Sequence, residues 1–272
     1  MLTTTLDGLW VLQVLSGIEI LAPELQLRPH LPRIESADTA LSHPIAAELI
    51  DAGVITASRK IDDAVLEWLT VLSRRDIALL LHIRDAGVDP APVHALLARF
   101  DHWWVTLERS ADLIRISGVG TATTEQSAGL AVMREIDRLC GTMPASLMRP
   151  VTIKTGDLID EVRGGANLRN YLRAKRFDPE QVRLLSLAAE PERSRQTSIV
   201  VVQSGAGPRV VAGPLTIIDT PEGRLLSEHA SRDGAEWMVV TPGSADALAA
   251  ALHTLLRRLP AEHSWYSHRK AV

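Results

Sequence analysis

The sequence predicts an α+β fold in two pseudo-twofold-related halves, with an antiparallel central sheet flanked by helical bundles. Three observations carry this. Residues 103–108 alternate, with Trp103, Val105 and Leu107 on one side and Trp104, Thr106 and Glu108 on the other. A polar break at Ser110-Ala111-Asp112 leads into residues 113–117, where Ile114 and Ile116 share a face, the mark of an antiparallel hairpin. Residues 77–83 (IALLLHI) form a nearly unbroken apolar run, suited to a central strand covered on both faces. Finally, the pattern of strand, helices, hairpin strands and closing helix begins again after Pro150.

Taken in order, residues 2–6 suit a strand, and Asp7 can cap a helix over 8–16. Three prolines make 22–34 an irregular connection. Ser36 starts a helix to about Leu41, and His43-Pro44 restarts it until Gly53. Residues 61–74 are strongly amphipathic, with Val65, Trp68, Leu69 and Leu72 on one face. Residues 93–99 are too short for periodicity to choose between helix and strand. Residues 124–140 are helical, with Val132, Ile136, Leu139, Cys140 and Met143 on one face. In the second half, 151–154 is a strand, 157–163, 167–176 and 179–190 are helices, and 197–203, 214–219, 224–229 and 236–241 are strands, with a turn at Gly223. Ser244 caps a closing helix bearing Leu248, Leu252, Leu255, Leu256 and Leu259.

A shift of 116 brings the two closing helices into coincidence, Val132 on Leu248 and Ile136 on Leu252, with Pro144 on Pro260. The halves are then 1–148 and 149–272, two α+β units in one compact assembly. The alternative is that any two amphipathic helices can be aligned in this way.

Composition excludes several classes of function. At 46% hydrophobic residues, the 272-residue chain can bury a core as one large domain or two small ones. A net charge of −4 offers no basic field to collect phosphates, so nucleic acid is not expected as a partner. The single cysteine, Cys140, precludes an internal disulfide and points to a reduced, cytoplasmic setting. Residues 9–18 are apolar, but Asp7 precedes them and no Lys or Arg occurs before Arg28, unlike a signal peptide. No run approaches the ~20 apolar residues of a membrane span, so no membrane insertion is expected.

The residues that usually carry chemistry are not arranged for it. No two of the nine histidines are spaced i,i+4 on a plausible helix, so no metal is expected. No G-x-S-x-G occurs, and Cys140 sits on an apolar helix face, as a buried thiol does. Ser117-Gly118-Val119-Gly120 lies between a strand and a helix like the start of a dinucleotide fingerprint, but Thr123 stands where the third glycine belongs, and the strand is part of a hairpin. The expectation is no cofactor and no catalysis. Charge is polarised: 163–183 carry Arg163, Arg169, Arg173, Lys175, Arg176 and Arg183 against Asp178 and Glu180, whereas 35–67 carry seven acidic residues against Arg59 and Lys60. Such segments are ordinary solvated helix faces or a surface that orients a partner.

Four stretches also carry a family likeness. TTTLDGLWVLQVLSGIEILAPELQLRPHLP (3–32), WLTVLSRRDIALLL (68–81), WWVTLER (103–109) and RRLPAEHSWYSHR (257–269) resemble the EspG family, cytosolic components of mycobacterial type VII (ESX) secretion systems, and most of all the paralogue of the second ESX system. The resemblance spans essentially the whole chain. It implies two quasi-twofold α+β halves and a specific chaperone that binds the tip of the PPE subunit of a PE–PPE heterodimer, keeps it soluble and holds it for secretion. It also implies contacts from the loop between the second and third strands, the central sheet and the C-terminal helical bundle. Here the loop is 85–92, shorter than in some relatives, and the bundle is 167–190. The partner-binding residues expected are Asp85 and Val88 in the loop and Asn167, Asn170, Arg173 and Arg176 in the bundle. The alternatives are a small-molecule-binding protein or enzyme with a pocket between the halves, and a structural homo-oligomer; the chaperone reading itself leaves room for weak self-association.

Overall fold

The computed structural model describes residues 1–87, 91–163, 167–204 and 209–267. The first half runs β1 (Leu2–Thr5), α1 (Leu6–Ser16), a 3-10 turn at Pro23–Leu25, α2 (Ala37–Ser42), α3 (Pro44–Asp51), α4 (Asp63–Arg74), β2 (Ile77–Arg84), β3 (Val93–Phe100), β4 (Trp103–Ser110), β5 (Leu113–Thr121) and α5 (Glu125–Cys140). The second runs β6 (Val151–Lys154), α6 (Thr155–Arg163), α7 (Leu168–Ala174), α8 (Pro179–Ala188), β7 (Arg195–Gln203), β8 (Val210–Thr220), β9 (Gly223–Arg232), β10 (Ala235–Pro242) and α9 (Ala245–Arg257). The strands form one antiparallel ten-stranded sheet in the order β1-β5-β4-β3-β2-β7-β8-β9-β10-β6. Counted from either edge inward, each set of five strands occurs in the same order, and the two sets meet where β2 pairs with β7.

Alternation along these strands feeds three cores. On β2, Ile77, Leu79, Leu81 and Ile83 point to the face covered by α5 and α9, in a core that also holds Ile199 and Val201 of β7, Leu215 and Ile217 of β8, and Trp104 and Trp265. The opposite face is covered twice. The first-half helices and the 3-10 turn pack on Ala78, Leu96, Ala98, Val105 and Leu107, and α7 and α8 pack on Leu225 and Val240. Period-2 alternation therefore splits β4 between two interiors, sending Val105 and Leu107 one way and Trp104 the other.

Local rules place most boundaries. Thr5, not Asp7, caps α1, accepting the Gly8 N–H at 3.2 Å, and Asp7 sits in the first turn where the helix dipole favours it. Ser36, Asp62, Thr124 and Ser244 cap α2, α4, α5 and α9. The undecided stretch at 93–99 is strand β3, fixed by β2 on one side and β4 on the other. Met143 is not on the α5 face as expected: the helix ends at Cys140, and Met143 is 37% exposed. The caps Thr124 and Ser244 stand 120 residues apart (244 minus 124), one helical turn more than the shift of 116. A slip of one turn returns the same face, which is why both shifts align apolar residues.

The Ser117-Gly118-Val119-Gly120 stretch lies inside β5, so no loop exists there to cradle phosphate. Gly118 has a packing reason: a Cβ there would fall 2.7 Å from the Trp68 indole nitrogen. Cys140 is buried, and its burial pushes the thiol above its ordinary pKa. The connector between the halves is pinned by a buried ion pair. Arg224 Nε donates to Asp219 Oδ1 at 2.6 Å, and its Nη2 donates to Asp219 Oδ2 and to the Gly141 carbonyl, both at 2.9 Å. The backbone of Arg224 exchanges hydrogen bonds with Pro144 and Ser146. Gly223 permits this approach, because a Cβ would stand 2.8 Å from Ser146 backbone atoms, and its φ of +118° suits only glycine.

Trp104 is fully buried and Trp103 is 36% exposed. Trp104→Ala should cost roughly 3–5 kcal/mol and Trp103→Ala about 1 kcal/mol or less in urea unfolding. Equal costs would contradict the two-faced reading of β4. Arg224→Met, which strands Asp219, should cost about 3–5 kcal/mol, and adding Asp219→Leu should recover part of that loss. A double variant less stable than the single would contradict the ion-pair account.

Candidate partner-binding site

Between the two helical layers, on their shared face of the sheet, part of β2 and β7 stays open. Register places Leu80 opposite Val200 and His82 opposite Ser198. Leu80, Val200 and Ser198 are half-buried and His82 is exposed, whereas Ala78, further back on the same face, is sealed under the first-half helices. His94 of β3 lies directly across from His82, and the rings stack with centroids 4.8 Å apart and planes 22° apart. Arg109 of β4 is the next cross-strand neighbour, and its guanidinium is committed to the carbonyls of Leu25 at 2.6 Å, Gln26 at 3.1 Å and Ala111 at 3.0 Å. Burial, then His82 and then Arg109 push the His94 imidazole below its ordinary pKa.

One border of this strip belongs to the second-half helices. Asn167 caps α7 by accepting the Arg169 N–H at 2.9 Å, and Tyr171 and Leu172 anchor the helix in its core. Asn167, Asn170, Arg173 and Arg176 are all exposed on or beside α7, Asn167 as its cap and Arg176 just past its end. The local positive balance is smaller than the sequence suggests. Lys175 pairs with Asp157 at 3.2 Å, a contact that holds that carboxyl below its ordinary pKa, and Arg183 pairs with Glu222. Among the described residues no ion pair joins Arg173 or Arg176, so their charge stays available.

Asp85 is placed differently. Its Oδ1 forms an ion pair with Arg195, 2.8 Å from Nε, while the same guanidinium donates to the Cys140 and Leu139 carbonyls at 2.6 and 2.9 Å. It therefore tacks the β2–β3 loop to the end of α5, and no interaction among the described residues joins it to α7. Val88 lies outside the described residues. In the acidic first-half segment two of the seven acids are engaged: Glu35 Oε2 lies 2.7 Å from His30 Nδ1 and accepts the Leu31 N–H at 2.7 Å, and Asp62 is a helix cap.

The sequence reading missed the His82–His94 stack. Its signal was the graded even-numbered face of β2, Ala78, Leu80, His82 and Arg84, which turns polar along a strand whose odd face stays apolar. A second feature, also missed, is a cavity of about 410 Å³ between α5 and α9 on the opposite face of the sheet. Leu130, Met133, Leu252 and Leu256 line it, and at one end Glu125 Oε1 lies 2.8 Å from His253 Nε2 and 3.2 Å from both Arg257 Nη2 and Trp265 Nε1. Among the described residues no His, Cys, Asp and Glu group could hold a metal ion, and no helix is long and apolar enough to cross a membrane.

Known proteins with this architecture can now be set beside it. A model described as the EspG family matches residues 5–254. The ESX-2 secretion-associated protein EspG2 of Mycobacterium tuberculosis is 44% identical over 278 residues, covering all of both chains. The ESX-3 secretion-associated protein EspG3 of Mycolicibacterium smegmatis is 29% identical over 225 residues, 81% of this chain and 74% of the relative. Among solved structures, the M. tuberculosis type VII secretion system chaperone EspG5, determined in complex with a PE25–PPE41 dimer, matches with a TM-score of 0.77 at 20% identity, covering 98% of this chain and 99% of that one. With the family model spanning most of its length and EspG2 aligned end to end, the chain belongs to the EspG family.

Proposed function

We propose that the chain is a cytosolic chaperone and adaptor of a type VII (ESX) secretion system that binds the tip of the PPE subunit of a cognate PE–PPE heterodimer, keeps it soluble and holds it for secretion. It performs no catalysis in this reading. The observation that carries it is the open strip of sheet beside the end of α8, where Gln196 of β7 donates to the Ala188 carbonyl at 3.0 Å, on a fold shared along its whole length with a chaperone solved on such a dimer. A tip with exposed apolar side chains is an aggregation hazard until covered. Covering it needs an apolar centre with a polar rim, over about 800 Å² per partner. Leu80 and Val200 supply apolar surface, and Asn167, Asn170, Arg173 and Arg176 supply a rim. Residues 1–148 and 149–272 act in this reading as two α+β halves of one unit, a division that the inward-matching strand order supports.

A second reading has one observation in its favour. The α5–α9 cavity lies between the halves, with a hydrogen-bonded carboxylate at one end, as small-molecule sites do. A small ligand whose binding is abolished by Leu252→Trp while PE–PPE recovery is unchanged would assign the cavity a role of its own.

Rim charges set orientation and encounter rate more than affinity, so their reversal should weaken capture without unfolding the protein. Arg173→Glu with Arg176→Glu should lower co-purification of the cognate PE–PPE pair several-fold at unchanged circular dichroism, and Arg59→Glu with Lys60→Glu should not. Equal recovery from both doubles and the wild type would remove α7 from the site.

A further inference from the structure

The strip at the centre of the sheet holds a feature that a merely apolar platform does not need. His82 and His94 are face-to-face cross-strand partners, one exposed and one half-buried, at the end of the apolar patch made by Leu80 and Val200. Stacked imidazoles 4.8 Å apart are compatible as neutral rings and repel as cations. The charges around them do not favour protonation. On β2 the next residue of the same face is Arg84; on β4 the neighbour of His94 is Arg109; β7 presents only Ser198 and Gln196. The one carboxylate lining the cavity beside His94 is Glu24, on the 3-10 turn, and Arg75 at 2.5 Å and Arg209 at 3.2 Å already engage it. Asp85, after Arg84, is engaged by Arg195. Among the described residues, no unengaged acid faces the stack.

We infer that His82 and His94 are a specificity contact for the client, taking a large apolar side chain of the PPE tip on their neutral rings, so that client binding is lost when the pair takes up protons. This rests on the chaperone reading above. The sign follows from desolvation. A client side chain seated over His82 strips water from the stack, and a buried imidazolium costs more than a buried imidazole. Protons and client then compete: affinity is level above the imidazole range and falls below it, by up to tenfold per pH unit for each ring that must stay neutral. Burial, His82 and Arg109 depress the His94 pKa, which favours the neutral form of the inner ring.

The test is the Kd between the full chain and a purified cognate PE–PPE dimer at pH 7.5 and pH 5.5, with circular dichroism at both. Wild type should weaken at least tenfold at the lower pH. His82→Phe with His94→Phe keeps two flat rings that cannot charge; it should bind at pH 7.5 and change less than threefold at pH 5.5. Because the client is the same, its own titration cancels between the two. Should the double variant fail to fold, His82→Phe alone should recover at least half of the logarithmic loss. A wild-type affinity independent of pH, or a Phe variant falling as steeply as wild type, overturns the inference and leaves the chaperone reading standing. Absence of binding at pH 7.5 to every PE–PPE pair of the same secretion system sinks both.

Discussion

The pairing of β2 with β7, from Ile77 opposite Gln203 to Arg84 opposite Gln196, is the constraint on which the rest depends. Without it each half would end in a long apolar strand with an unpaired edge, the kind of surface that recruits other chains. With it, the exposed edges of the sheet are β1 and β6, four residues each. The same pairing builds the largest shared core. The odd residues of β2 and β7 lie side by side under α5 and α9, one helix from each half, so neither half can seal that face alone.

What happens on the other face follows from geometry. The first-half helices sit over β3, β4 and β5 and reach β2 at Ala78 and the flank of Leu80, while α7 and α8 sit over β8, β9 and β10. The middle of the sheet is thus left to solvent on one side while remaining rigid, because both its strands are paired on both edges and packed from behind. A rigid, partly apolar strip with helical borders is a surface that can receive another protein's tip without reordering, which lowers the cost of association. The connector between the halves is held on its own terms: Arg224 and Asp219 neutralise one another in a buried bidentate pair and give the spare donor to Gly141.

How much of this was legible depended on how local the cause was. The hairpin of β4 and β5, the central strand β2, the helix α4 and the caps Ser36 and Ser244 came from periodicity and side-chain chemistry confined to a few neighbours. The nature of residues 93–99 was not local, because their strand state is imposed by partners on both sides. Met143 failed for a similar reason: a helical pattern continues past the point where Gly141 has already turned the chain. At the candidate site, α7 and α8 were visible as a run of basic residues, but the ion pairs of Lys175 with Asp157 and of Arg183 with Glu222 were not, since those acids lie 18 and 39 residues from their partners. Asp85 read as a loop residue that meets a client, and its ion pair with Arg195 was not visible from sequence. His82 and His94 were invisible as a pair until the register of two strands put them face to face.

The central claim is that the client covers the open strip of β2 and β7 and not the opposite face. Cys140, the only cysteine, is buried, so single introduced thiols can report on each face separately. Ser198→Cys stands on the strip beside His82, and Leu130→Cys stands on α5 at a position 59% exposed. The rate of maleimide modification of each should be measured with and without the cognate PE–PPE dimer. The account predicts at least tenfold slowing at residue 198 and no change at residue 130. Protection at 130 with none at 198 would contradict it and move the client to the α5–α9 face.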